Sequence, residues 1–155
     1  MGLMPISPSL PPKGGKEGGR KEDLLAWNRE YRAKGRIWRG APAKLPDLPS
    51  GSRVLELGCG NGKTLAAMLN RLWRVAALDL SPLAVRLGRE VVVSFRDAPS
   101  EADFIAADAA RLPFRDSTID AVFAFHVIGH LRKGDRRQAA LEAARVLKAE
   151  GRLFF

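Results

Sequence analysis

Cysteine is nearly absent. Cys59 is the only one in 155 residues, so no intramolecular disulfide can form, which suits a reducing, cytoplasmic setting. Long apolar runs are missing too. None approaches the ~20 residues that a membrane-spanning helix needs, so a membrane partner is not expected. Met1 to Pro12 has no charged segment followed by an apolar core, so it does not read as a secretory signal. Histidine is scarce: His126 and His130 stand alone, four apart, without the H-E-x-x-H spacing of a metal site. No metal-ligand set is expected. An RNP1 segment and zinc-knuckle cysteines are also lacking, so no nucleic-acid signature is present.

What remains is one domain's worth of chain, with 46% hydrophobic residues, enough for a single core. Net charge is +9 and unevenly spread: residues 1–53 carry +6 and the longer remainder +3. Residues 1–20, rich in Pro, Gly, Ser and Lys, read as a disordered basic arm. Such an arm is either a solubilising tail or a device that steers towards RNA. The folded unit is expected over 21–155.

The sequence is organised around Val54-Leu55-Glu56-Leu57-Gly58-Cys59-Gly60-Asn61-Gly62-Lys63-Thr64. An apolar strand runs into alternating glycines, where bare backbone turns sharply and a ligand can come close. Helical spacing follows at Leu65, Met68, Leu69 and Leu72. A strand, a glycine turn and a helix N-terminus make a ligand cradle. A Walker A loop would require glycine at position 57, which is Leu57; a G-x-G-x-x-G fingerprint would require it at 63, which is Lys63. Cys59, inside the turn, reads as a small buried side chain rather than a nucleophile.

Upstream, Leu24, Trp27 and Tyr31 predict a helix over about Glu22 to Lys34, ended by Gly35. Downstream, Arg74 to Asp79 is a second strand ending in an acid, placed to accept hydrogen bonds from ribose hydroxyls. Ser81 and Pro82 open a helix as N-cap and first residue, with Leu83, Leu87 and Val91 as its apolar stripe. Asp103 to Ala107 and Ile119 to Phe125 are the third and fourth strands. A helix over about Arg136 to Leu147, capped by Asp135, leads through a turn at Lys148 to Gly151 into a fifth strand at Arg152 to Phe155.

The run from Glu56 to Gly62 resembles motif I of the class I S-adenosylmethionine-dependent methyltransferases. Asp79, the Asp108-Ala109 loop, the segment from Leu112 to Val122 and the run from Val146 to Leu153 are similar to the same family, of the type 11 kind. The resemblance spans about Gly51 to Phe155. It implies an α/β three-layer sandwich with a Rossmann-like, mostly parallel sheet in the order 3-2-1-4-5. It implies S-adenosylmethionine as cofactor, S-adenosylhomocysteine as product and an unidentified methyl acceptor.

It further implies that Glu56 approaches the methionine amine, and that the main chain of Gly58, Cys59, Gly60 and Gly62 meets the cofactor. Asp79 would take the ribose and Asp108 with Ala109 the adenine, while Leu80 and Phe125 line the same cleft. Trp27, Tyr31 and Trp38 fall in the region that covers the cleft in this family; pocket wall and simple packing both stand as readings. His126 and His130 follow the fourth strand, where the acceptor would sit; each is a catalytic base or a pocket-lining residue. The family's last two strands have no counterpart, so the reading is a core truncated after strand five, its apolar edge open to a homodimer. Three rivals are a non-catalytic module that binds the cofactor, a nicotinamide-dependent oxidoreductase and an NTPase, for which Val75 to Asp79 could pass as a Walker B strand although Leu57 breaks Walker A.

Overall fold

The computed structural model describes residues 19–38, 44–94, 102–125 and 127–155. Short apolar segments pair into one five-stranded sheet: β1 (Arg53–Leu57), β2 (Arg74–Asp79), β3 (Ala102–Ala106), β4 (Ile119–Phe123) and β5 (Leu147–Phe154). The order is β3-β2-β1-β4-β5 and every pairing is parallel, as expected. Parallel neighbours need crossovers that cover both faces, which explains why β1 and β4 are buried almost throughout.

Alternation along the strands divides the core in two. Val54, Val75, Ala77, Ala121 and Phe123 face α2 (Leu65–Met68). Leu55, Leu57, Leu78 and Val122 face α4 (Lys133–Val146), through Ala139, Ala143 and Val146. Phe123 is fully buried and stacks on Phe154 at 4.9 Å and Trp73 at 6.0 Å. Burying one such ring contributes about 1.5–3 kcal/mol. Two further helices, α1 (Gly19–Lys34) and α3 (Pro82–Val93), complete the described elements apart from a short 3-10 turn at Ile128–His130.

Local expectations needed correction in several places. α2 is a single turn that stops at Leu69, and Leu72 is 59% exposed. The chain must reverse into β2 at Arg74, which leaves no room for a second turn. In α3, Ser81 and Pro82 behave as predicted, the Ser81 hydroxyl accepting the Ala84 N–H. Its buried stripe, however, is Ala84, Val85, Gly88 and Val91; Leu83 and Leu87 are half-buried. Gly88 sets that rotation, since a Cβ there would lie 3.0 Å from the Phe104 ring. α4 starts at Lys133, so Asp135 sits inside its first turn and Arg132 occupies the cap position. β5 begins at Leu147, with a register shift over the predicted turn. Met1 to Gly18 lies outside the described residues, and Gly19 and Arg20, expected in the arm, are helical.

Candidate functional site

The C-terminal ends of β1, β2 and β3 deliver three carboxylates to one cleft. Glu56, Asp79 and Asp108 all line it, together with Gly58, Cys59, Leu80, Ala109, Phe125 and His130. Its empty space, open mouth included, is about 1000 Å³.

β1 leaves the sheet through Gly58 at φ +69°, where a Cβ would stand 2.9 Å from the Val127 side chain. Gly60, at φ +51°, donates its N–H to Asp79 Oδ2 at 2.9 Å, and Ser81 donates its N–H to Oδ1 at 2.9 Å. Asp79 therefore ties the glycine turn to the start of α3, and with the Leu80 N–H also facing it only part of its acceptor capacity remains. Burial pushes Asp79 up to about 6 against these N–H bonds.

Glu56 is more isolated. Burial first, then the neighbouring Asp79 charge, pushes it up to about 8. Its buried Oε2 has no hydrogen-bond partner among the described residues. Leaving such an atom unpaired costs about 1–3 kcal/mol, which a cation or N–H donor in the cleft would recover. Cys59 is buried, and burial raises its thiol well above the usual value, so it is no thiolate nucleophile.

Asp108 opens an Asx turn: Oδ1 accepts the Ala110 N–H at 2.8 Å and the backbone carbonyl accepts the Arg111 N–H at 2.9 Å. Its other oxygen lies 2.7 Å from Arg20 Nε, an ion pair rather than an aligned hydrogen bond. Arg20 also comes within 3.8 Å of Asp135.

α1 thus lies across the cleft as its outer wall. The Arg132 guanidinium grips Asp23 with bonds of 2.9 and 3.0 Å and donates to the Gly19 carbonyl at 2.8 Å. Ser81 donates its hydroxyl to Asn28 Oδ1 at 2.6 Å. Trp38 exchanges two hydrogen bonds with the Asn61 side chain, its N–H donating at 2.8 Å and its carbonyl accepting at 3.0 Å. Its indole N–H donates to the Tyr31 hydroxyl at 3.1 Å. His130 meets Trp27 edge-on at 5.2 Å and Trp38 at 5.7 Å.

Trp27, Tyr31 and Trp38 therefore form a wall of the cleft. Gly60 is packed beneath Trp38 and Tyr31, and Gly62 against Gly88 and Val91 of α3, so neither lines the cleft itself. His126 lies outside the described residues. Asp23, Lys63, Val127, Arg132 and Asp135 line the cleft without having been singled out as ligands. Asp135 carried a signal that was read as a helix cap. Asp23 and Arg132 carried none, because they meet across most of the chain.

S-adenosylmethionine suits this set of groups: a buried acid lacking a partner, a second beside it, a third on a half-buried turn, and bare glycine backbone between them. The sequence profile of the methyltransferase domain family matches residues 55–155. A tRNA (carboxymethyluridine(34)-5-O)-methyltransferase of Arabidopsis thaliana is 36% identical over 119 residues, covering 74% of this chain and 26% of that protein. The ubiquinone/menaquinone biosynthesis C-methyltransferase UbiE of Pseudomonas putida is 35% identical over 123 residues, covering 76% and 46%. The chain thus spans between a quarter and a half of the length of these relatives. Among solved structures, a SAM-dependent methyltransferase from Methanosarcina mazei aligns with TM-score 0.60 and 26% identity, over 65% of this chain and 50% of that one. A Haemonchus contortus N-methyltransferase in complex with phosphomonomethylethanolamine and S-adenosylhomocysteine aligns with TM-score 0.59 and 26% identity, over 69% and 24%. Fold, cleft and sequence agree: the chain belongs to the class I S-adenosylmethionine-dependent methyltransferases.

Proposed function

We propose that this chain binds S-adenosylmethionine in the cleft at the ends of β1, β2 and β3 and passes its methyl group to an acceptor entering beside His130. The observation that carries the reading is the buried, unpartnered Oε2 of Glu56, two residues before a backbone turn that bulk would close. The cofactor's sulfonium supplies the activated methyl group. This chain's residues then bind, orient and exclude water. Glu56 holds the methionine ammonium. Asp79 takes the ribose hydroxyls with its remaining lone pairs. Asp108 and the Ala109 N–H take the adenine edge, and Leu80 and Phe125 close the apolar sides. Trp27, Trp38 and His130 form the acceptor's wall, with His130 placed to hold a proton released by the acceptor.

For the acceptor, the net charge of +9 supports RNA. Lys133, Arg136 and Arg137 share one face of the first turns of α4. Arg136 folds back to donate to the Leu131 and Gly129 carbonyls, either side of His130. Among the described residues β5 is an edge of the sheet, and its exposed Leu153, at 37%, supports pairing with a second copy of the chain.

Transfer of a labelled methyl group to a panel of RNA, quinone and small amine acceptors tests the proposal. Incorporation that falls at least tenfold in Asp79→Ala supports it. Cofactor binding without transfer to any acceptor favours the binding module, and transfer that survives Asp79→Ala unchanged overturns the site assignment. Light scattering at rising concentration reads the pairing; a strict monomer refutes it.

A further inference from the structure

β3 ends at Ala106 and β4 begins at Ile119, and the connecting loop contains Asp108 and Ala109. Something must fix these two residues, since a loop of this length has many conformations. On the strand side, the Ala107 N–H donates to the Asp79 carbonyl at 3.0 Å. On the far side, Arg145 in the last turn of α4 does the fixing. Its Nε and Nη2 donate to the two oxygens of Glu142 at 2.7 and 2.8 Å. Nη2 also donates to the Leu112 carbonyl at 3.0 Å, and Nη1 to the Phe114 carbonyl at 2.8 Å and Asp116 Oδ1 at 2.6 Å. These bonds match the five N–H groups of a guanidinium.

Glu142 completes the grip by accepting the Leu112 N–H at 2.7 Å. Leu112 is thereby held by both its N–H and its carbonyl, and its side chain is buried. Between the two anchors hangs a single turn, Asp108 to Arg111. The Asp116 arm of the network is different: that carboxylate is 75% exposed, so its ion pair contributes little.

We propose that Arg145, acting through Glu142 and Leu112, is a positioning residue for recognition of the cofactor's adenine amino group. It touches no ligand. It sets where the Asp108 carboxylate and the Ala109 N–H stand at the rim of the cleft. The inference rests on the reading of Asp108 and Ala109 as the adenine site. Lysine cannot replace the fork, because a single ammonium cannot serve the loop carbonyls and both Glu142 oxygens in one plane.

The test is calorimetry with two ligands, S-adenosylhomocysteine and its analogue whose purine has hydrogen in place of the amino group. Wild-type protein should prefer the former by about tenfold, one hydrogen bond to a charged acceptor. Arg145→Met and Glu142→Gln should reduce that preference to less than twofold while leaving affinity for the analogue nearly unchanged. Asp116→Ala should keep the wild-type ratio. Glu142→Gln retains the side chain's shape and Arg145, so it reports even where Arg145→Met fails to fold. Variants that keep the tenfold preference overturn the inference, as does equal affinity of the wild type for both ligands, which leaves cofactor binding itself intact. A wild type that binds neither ligand refutes the cofactor reading, and this inference with it.

Discussion

The cleft has two walls built on different principles. The inner wall is the sheet's rim, where Glu56, Asp79 and Asp108 sit at strand ends and main-chain N–H groups of Gly60, Ser81 and Ala110 hold two of the three. Its contacts join neighbouring strands in a buried layer. The outer wall is α1 with Trp38, held by Arg20–Asp108, Arg132–Asp23, Trp38–Asn61 and ring contacts to His130. Its contacts join residues far apart in sequence and are partly solvated, as with the 46% exposed Arg20 side chain. Damage to the inner wall should therefore abolish binding or cost much of it, and damage to the outer wall should shift affinity slightly and even in the opposite sense.

The largest effect is expected at Gly60. Gly60→Val forces a branched residue to positive φ and drives its Cβ to within about 2.8 Å of Trp38, so calorimetry should detect no S-adenosylhomocysteine binding. Binding at wild-type affinity would place the ligand elsewhere. Asp79→Ala comes next, weakening binding by roughly 1–3 kcal/mol, the loss of a charged acceptor for hydroxyl groups.

A pH dependence follows from the two raised carboxyls. The folded-state values, about 8 for Glu56 and about 6 for Asp79, lie above those of an unfolded chain. The protonated forms therefore favour the ligand-free fold. That contribution is complete below about pH 4 and is lost as pH rises through about 6 and then about 8. A cationic ligand has the opposite preference, since it binds the ionised Glu56. Cofactor affinity should rise between about pH 6 and 8, with proton release visible as buffer-dependent binding heat, and Glu56→Gln should flatten the rise. A flat wild-type profile would remove Glu56 from the site.

The smallest effect belongs to the outer wall. Arg20→Ala would free the Asp108 oxygen that the proposed adenine contact uses, so affinity should increase, by about 1 kcal/mol, since the Arg20 half of the pair is 46% exposed. The wild type, but not the variant, should gain affinity as salt weakens the Arg20–Asp108 pair. Weaker binding by the variant would make Arg20 a ligand contact instead of a competitor.

The same contrast explains what could be read without a structure. Apolar strands, alternating glycines and the Ser81–Pro82 helix start are local patterns, so the strands, the glycine turn and the Ser81 cap were legible, and the family resemblance they carry implied the sheet order and the Glu56–Asp79–Asp108 trio. The length of α2 was not, because the reversal into β2 sets it. The rotation of α3 depends on Gly88 meeting Phe104, a contact between elements. Trp27, Tyr31 and Trp38 could be suspected from the family resemblance, which places a cleft cover in this region, but nothing local links Arg20 to Asp108 or Asp23 to Arg132. Nor did Arg145 signal its grip on Leu112, since a basic residue in a helix's last turn has a sufficient local reason to be there.

Calorimetry with S-adenosylhomocysteine, NAD and ATP in parallel tests the central claim, that the carboxylates at these strand ends hold S-adenosylmethionine. One-site binding of S-adenosylhomocysteine, weakened in Asp79→Ala and absent in Gly60→Val, with no heat from NAD or ATP, is the expected result. A clear signal from NAD and none from S-adenosylhomocysteine would contradict it.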